Sequence, residues 1–566
     1  MSCRTLVAAA IALCLCTLDV SAATSNIDAP AAWIVRAHYD NVAMLKQIAP
    51  YFTHMRIDRT LQIVSVETDE FGARVMQDAG LQVEVDMAAT ARMNTRDRAL
   101  AGLEPDSIPN YACYQTVEET QQSQDAFVSS YPTLASVVDI GPSWARSQNA
   151  ANGYRLRVLK ITNQATNSVA SKPKFFYMSG LHAREYAPVG VNMGFAHWLL
   201  DNYGIDPDAT WLVDHNEFHL LMVANPDGRK IAETGKYQRK NTDTIYAPCS
   251  PSAGQLGVDL NRNFPFHWNI TSGAGSSGNV CDETYRGPVP NSEPETQGIV
   301  SYTASIFPVH PPVMSPSQPA PDNYSGLFID MHSNAALVLW PWGDTTSHSP
   351  NDAAFVALGR RLAFFNNYTP EQSDSLYPTD GASDDNAYGS YGVPGLTIEL
   401  DGQFFENCTT FQNTTLPANL KALRYASRAL YAPYKLPKGP DALNVHVSSP
   451  RIVIGMPVTL SATIDDTRYN QSNGTQATYA ITAATATLDV LPWEAAATPI
   501  LMTASDGVFN SSNEAVNVIF DSSQWAPGKH LLYVQGSNVS GASGPPAAVF
   551  LQVIAIDDNI FYNGLE

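Results

Sequence analysis

Positive charge is what this chain has least of. Lys and Arg number 33 against 54 Asp and Glu in 566 residues, a formal charge of −21. Nucleic acids and anionic membrane surfaces are bound through basic patches, so this balance argues against both as partners. Long apolar runs are missing too. Leu6 to Leu15 is almost wholly apolar, but it falls short of the roughly 20 residues that span a bilayer, and no later run reaches that length. Cysteine is sparse: seven in all, of which only Cys113, Cys249, Cys281 and Cys408 lie beyond the first 22 residues.

What the N-terminus does have is the pattern of a secretory signal. Arg4 gives the positive end, Leu6 to Leu15 the apolar centre, and Val20-Ser21-Ala22 small residues for cleavage. Residues 1–22 read as that signal. They predict a secreted, extracellular protein, or a periplasmic one if the source is bacterial. An even count of four remaining cysteines in an exported chain predicts two disulfides, with three connectivities open.

The remaining length organises into units. In residues 23–106, Trp33–His38, Leu61–Val66 and Leu81–Val85 read as strands, and Asn41–Ile48 and Phe71–Met76 as helices. This β-α-β-α-β order predicts a small α+β sandwich. It ends in a polar linker, Ala88–Asn110, that carries Arg92, Arg96 and Arg98. Residues 107–435 alternate buried strands (156–161, 174–178, 218–223, 327–330 and 396–399) with helices, the pattern of an α/β domain. One helix is expected to start after Pro188, with Val191, Phe195, Trp198 and Leu199 on its apolar face. Pro308–Pro321 reads as a surface loop. Residues 440–554 turn to short strands parted by Gly, Ser and Asn, which predicts an all-β sandwich of roughly seven strands. Residues 555–566 are a separate tail.

Two phrases carry the chemistry: Leu-His182-Ala-Arg-Glu185 and Ile-Asp-Met-His332-Ser. Two imidazoles, one carboxylate and an open position for water make a hydrolytic zinc site. A lone HxxE is weak, since chance expects about one in a chain of this composition. Here, however, His182 and His332 each follow a strand, and strand ends are where α/β folds build sites. Glu399 lies in a third strand, Thr397-Ile-Glu399-Leu. A carboxylate inside an apolar strand is costly unless a metal or a cation answers it.

These phrases resemble the zinc metallocarboxypeptidases of the pancreatic type, over about residues 107 to 435. The resemblance extends through Asn225-Pro-Asp-Gly228, Arg239-Lys240, Gly257-Val-Asp-Leu-Asn261-Arg262-Asn263, Glu283-Thr-Tyr-Arg-Gly-Pro288, Asp330-Met-His332-Ser and Thr397-Ile-Glu399-Leu, in one order. It implies a mixed-sheet α/β catalytic domain with one zinc held by His182, Glu185 and His332. It makes Glu399 the general base on the water and Arg239 the oxyanion stabiliser. Asn261 and Arg262 would bind the substrate's terminal carboxylate, and Arg184 would lie in the groove. Asp259 is a candidate acceptor for a ligand imidazole. The mobile Tyr of the family stands eight residues before an Asp, as Tyr377 does before Asp385, with Tyr388 and Tyr391 as rivals. Asp384 would then floor the side-chain pocket, where a carboxylate favours a basic C-terminal residue and an apolar floor favours Phe or Leu. The competing readings turn Asp384 to solvent, or make it the structural acid by a shift of one. Ser333-Asn334-Ala335 departs from the pancreatic pattern. The resemblance also pairs Cys249 with Cys281, which leaves Cys113 for Cys408, and it likens the first unit to an inhibitory propeptide.

The expectation is a secreted zinc carboxypeptidase acting on the C-termini of peptides and proteins, with an activating protease as a second partner. Two alternatives stand beside it: a relative that trims cell-wall peptides, and a peptide-binding relative without catalysis.

Overall fold

A computed structural model describes residues 33–555, apart from 53–54, 60, 88, 91–106, 167–170, 251–253, 308–317 and 376. The signal, the tail, most of the linker and most of the Pro308–Pro321 stretch lie outside the described residues.

The first unit is an antiparallel four-stranded sheet, order β2-β3-β1-β4, made of β1 (Trp33–His38), β2 (Arg56–Asp58), β3 (Ile63–Thr68) and β4 (Gln82–Val85). Alternation along β1 and β3 sends Val35, Ala37, Val64 and Val66 to one face. There they meet Leu45 and Ile48 of α1 (Val42–Ile48) and Met76 of α2 (Glu70–Asp78). Asn41 and Asp69 cap these helices through their side chains. The three-residue strand β2 was not foreshadowed by the sequence pattern.

The central unit is built on a mixed eight-stranded sheet, order β11-β10-β12-β9-β7-β8-β6-β5. Its strands are β5 (Ala135–Pro142), β6 (Arg155–Ile161), β7 (Lys174–Ser179), β8 (Glu217–Leu221), β9 (Leu327–Ser333), β10 (Leu337–Trp340), β11 (Thr369–Gln372) and β12 (Gly395–Leu400). The four central strands run parallel and are almost wholly buried, as a sheet covered on both faces requires. The covering helices are α3 (Val117–Ser130), α4 (Trp144–Gln148), α5 (Tyr186–Asp201), α6 (Pro207–His215), α7 (Pro226–Ala232), α8 (Pro294–Ile306), α9 (Asp352–Asn366), α10 (Ser383–Tyr391), α11 (Cys408–Thr410) and α12 (Leu416–Arg428). Helix α5 starts at Tyr186, before Pro188 and not after it. A proline in the first turn removes an N–H that has no helical acceptor, so it need not mark the boundary. Disulfides join Cys113 to Cys408 and Cys249 to Cys281.

The C-terminal unit is all β: β13 (Asp441–Val447), β14 (Arg451–Val453), β15 (Pro457–Asp465), β16 (Ile481–Leu488), β17 (Ile500–Ala504), β18 (Asn513–Asp521), β19 (Gly528–Asn538) and β20 (Ala547–Ile554). Its strands run in the order β13-β15-β18-β17-β16-β19-β20-β14, with β17 joining the two halves. Val458, Leu460, Ile464, Ala484, Leu532, Val534 and Leu551 form its interior.

The two flanking units meet the centre differently. From the first, Glu67 accepts from the Phe404 N–H (2.7 Å) and the Asn334 amide, and its carbonyl accepts from Tyr237 Oη (2.7 Å). Arg56 pairs with Asp401 at 2.7 Å. A cavity of about 410 Å³ remains in this seam. At the other seam, Leu491, Tyr533 and Ala548 are part of the central core itself, beside Trp211 and Leu212. Helix α9 sends Arg360 to the carbonyls of Asn470, Ser472, Asn473 and Gly474. Its neighbour Arg361 is fully buried over the Tyr469 ring and faces Asp441 and Asp466.

Candidate active site

Three neighbouring strand ends bring the site together. Gly180 follows β7 with φ +66°, a left-handed turn that glycine adopts without strain, and it delivers His182. His332 sits near the end of β9, in direct register with Glu399 on β12. Glu185 occupies the position before α5 where a capping side chain would stand, yet its carboxylate caps nothing. It turns to the histidines instead, with Oε1 2.7 Å from His182 Nδ1 and Oε2 3.1 Å from His332 Nδ1.

The two Nδ1 atoms lie 2.9 Å apart, and the three side chains are at most 2% exposed. The outer nitrogens are held by acids. Asp259 Oδ1 lies 3.2 Å from His182 Nε2, and Asp330 Oδ2 lies 2.8 Å from His332 Nε2. A carboxylate at Nε2 fixes the proton there and makes Nδ1 the nitrogen that carries the lone pair. Convergent nitrogen lone pairs and a carboxylate in a dry site are a donor set suited to a divalent cation such as zinc.

Asp259 organises more than one partner. Its Oδ2 accepts from Arg239 Nε (3.1 Å) and Nη2 (2.8 Å), and its Oδ1 accepts from the Asn261 N–H (3.1 Å). Burial pushes its pKa up, but Arg239 and His182 hold it well below the usual carboxylate range. Arg239 is thereby locked with Nη1 3.1 Å from His182 Nδ1. Arg262 is 4% exposed, and its Nε is buried without a hydrogen-bond partner among the described residues. Gly381 (φ +64°) packs on the Arg262 carbonyl, where a Cβ would come within 2.5 Å.

One cavity of about 80 Å³ is lined by His182, Arg239, Asn261, Arg262, Tyr377, Asp384 and Glu399. Met55 of the first unit also lines it.

Residues 120–416, over half of the chain, match the family described as zinc carboxypeptidase. The chain belongs to the zinc carboxypeptidase family. Carboxypeptidase A1 of Rattus norvegicus is 34% identical over 254 residues, 44% of this chain and 52% of that protein. Carboxypeptidase A1 of Sus scrofa is 31% identical over 292 residues, 51% and 60%. The chain thus spans about half the length of the curated relatives it matches. Among solved structures, the carboxypeptidase A of Helicoverpa armigera superposes with a TM-score of 0.56 at 20% identity, covering 71% of this chain and 98% of that one. Thrombin activatable fibrinolysis inhibitor gives 0.53 at 20% over the same shares. These two show the shared fold.

In this zinc carboxypeptidase chain, His182, Glu185 and His332 are a group that could hold the metal ion. Burial pushes the Glu399 carboxyl well up, against the pull of His332 and Arg239. Arg184 is 2% exposed; its guanidinium forms a fork with Glu283 (2.7 and 3.1 Å) and lies between the Tyr237 and Phe404 rings. Tyr377 packs on the core of the first unit. Tyr388 and Tyr391 are core residues bonded to Asn351 and to the Val300 carbonyl. Asp384 faces the cavity, accepting from Ser373 Oγ at 3.2 Å, whereas Asp385 binds the Gly343 N–H. Met55 and Glu371 enter the site without having been singled out in the sequence, while Asp330 and Glu283 stood in the quoted phrases with no role given. Asp330 had a signal: like Glu399, it is an acid within an apolar strand.

Proposed function

We propose that the chain is a zinc-dependent exopeptidase that hydrolyses the last peptide bond of peptides and proteins, kept latent by its first unit. The observation that carries this reading is one cavity lined jointly by a metal ligand, a buried carboxylate, a locked arginine and a second arginine with an unpartnered Nε.

His182, Glu185 and His332 would hold the zinc, which when bound would polarise the scissile carbonyl and lower the pKa of water to roughly 7. Glu399 takes the proton from the attacking water and passes it to the leaving amine. Arg239, fixed by Asp259, donates to the oxygen that becomes negative, so no side chain must reorganise as charge develops. Arg262 and Asn261 receive the free terminal carboxylate; a guanidinium fork matches it in two bonds. Tyr377 closes over the substrate. Asp384, with no cation paired to it among the described residues, selects a basic C-terminal side chain, because pairing offsets the desolvation of both charges.

Residues 23–106 act as a propeptide, with Met55 blocking the cavity mouth and the Ala88–Asn110 linker as the cut site. Residues 1–22 direct export.

The test is a pair of peptides differing only in C-terminal amidation. The free acid should be cleaved and the amide nearly spared, and Glu399→Gln should keep its zinc while losing most turnover. Comparable cleavage of the amide would overturn the exopeptidase reading.

A further inference from the structure

Strand β11 brings a second acid to the same cavity. Sheet register sets Glu371 beside Leu339, and Leu339 beside Thr397, two residues before Glu399 on the same face. Ser373, two residues beyond Glu371, donates to Asp384 Oδ2. Glu371, Ser373 and Asp384 therefore line one wall of the cavity. Among the described residues neither carboxylate has an ion pair within 4 Å, while the buried, unpartnered Arg262 Nε lies in the same cavity. The cation that pulls on Glu371 against burial is the guanidinium of Arg59, presented by the first unit.

The C-terminal unit supports this acid. Asn473 donates to Glu371 Oε2 (3.2 Å) and to the Pro370 carbonyl (3.2 Å). Arg360 grips the backbone around it through the carbonyls of Asn470, Ser472, Asn473 and Gly474.

We propose that Glu371 is a specificity-determining residue which, with Asp384, makes the side-chain pocket select C-terminal arginine over lysine, and that Asn473 is its positioning residue. This rests on the exopeptidase reading with Asp384 in the pocket. The chemistry is one of shape. A guanidinium is a flat fork with five donors that reaches two carboxylates at once, whereas an ammonium is a compact point charge that one carboxylate satisfies. Removing Glu371's charge therefore costs arginine more than lysine.

The experiment measures kcat and KM for peptides ending in Arg, Lys and Phe, using the zinc-loaded full chain after limited proteolysis. The parent should rank Arg above Lys above Phe. Glu371→Gln should lower kcat/KM for Arg about tenfold, through KM, and for Lys no more than about twofold. Asn473→Ala should move the Arg to Lys ratio the same way by about threefold with kcat unchanged, which mere loosening of the fold would not do. An unchanged ratio in Glu371→Gln, while Asp384→Asn still abolishes the preference for basic ends, overturns this proposal alone. A parent that prefers Phe overturns it together with the basic-pocket reading. If Glu371→Gln loses zinc or fails to fold, Asn473→Ala decides, and an unchanged ratio there overturns the proposal.

Discussion

The two units that flank the central domain are attached on opposite principles. Among the described residues, the first meets it through directed bonds around Glu67, an exposed ion pair, the limited apolar contacts of Tyr377 and Ile34, and a seam that keeps a cavity of about 410 Å³. The C-terminal unit shares the central core and buries Arg361 between the two partners at 0% exposure. Polar, loosely packed contacts can be broken at modest cost, whereas a fused apolar core with a buried, satisfied charge cannot. The contrast fits a first unit that leaves and a last unit that stays.

The largest effect should come from the permanent seam. Arg361→Ala would leave Asp466 without its cation and Asp441 with Arg468 alone, both acids 0% exposed, and should lower stability by roughly 3–5 kcal/mol, read from the denaturant midpoint. An effect under about 1 kcal/mol would mean that this seam resembles the other. Next comes release of the first unit: a cut within Ala88–Asn110 followed by separation of the fragment should raise peptide hydrolysis at least about tenfold, the equivalent of ~1.4 kcal/mol of occlusion. Full activity in the intact chain would remove the contrast.

The third effect is one of pH. Burial pushes Glu67 up to about 8 when docked, against the pulls of the Phe404 N–H and Arg184, from an ordinary value of 4.5. An acid whose pKa rises on docking takes up a proton. Its contribution therefore favours docking fully below about pH 4.5, fades as pH rises towards 8 and is spent above that. A nicked fragment should be retained at pH 5 and shed more readily at pH 8, by at most ~1.4 kcal/mol per unit in that window. Glu67→Gln should flatten the profile, as gel filtration across pH would show. The smallest effect belongs to Arg56→Ala. Its ion pair with Asp401 is more than half exposed and should contribute under about 1 kcal/mol, vanishing in high salt.

Much of the central site was legible because its chemistry is local. His182 and Glu185 are three residues apart, and the apolar strands around His332 and Glu399 make their charges conspicuous. Strands 156–161, 174–178, 327–330 and 396–399 stood out for the same reason. What escaped is what depends on register. β11 reads Thr-Pro-Glu-Gln, with a proline that sheets accept at an edge and that obscures any strand pattern. The place of Glu371 in the cavity wall follows only from its alignment with Leu339 and Thr397. β16 is rich in alanine and threonine, and alanine is a weak strand former. Arg360 and Arg361 did leave a trace, two charges inside the apolar helix Ala-Leu-Gly-Arg-Arg-Leu-Ala-Phe-Phe, but nothing in the sequence pointed to acceptors more than 75 residues away.

The loop of residues 470–474 also covers an edge of the central sheet. β11 is the last strand of the central sheet, with β10 on one side only. On the other side, Asn470 donates to the Tyr368 carbonyl and Asn473 to the Pro370 carbonyl. An open edge of this kind invites a strand from another molecule to add to it. Two asparagine amides and a proline occupy the positions such a strand would use. The loop therefore shields this edge from chain-to-chain β-pairing, and trimming the protein back to its central domain should make it prone to aggregate.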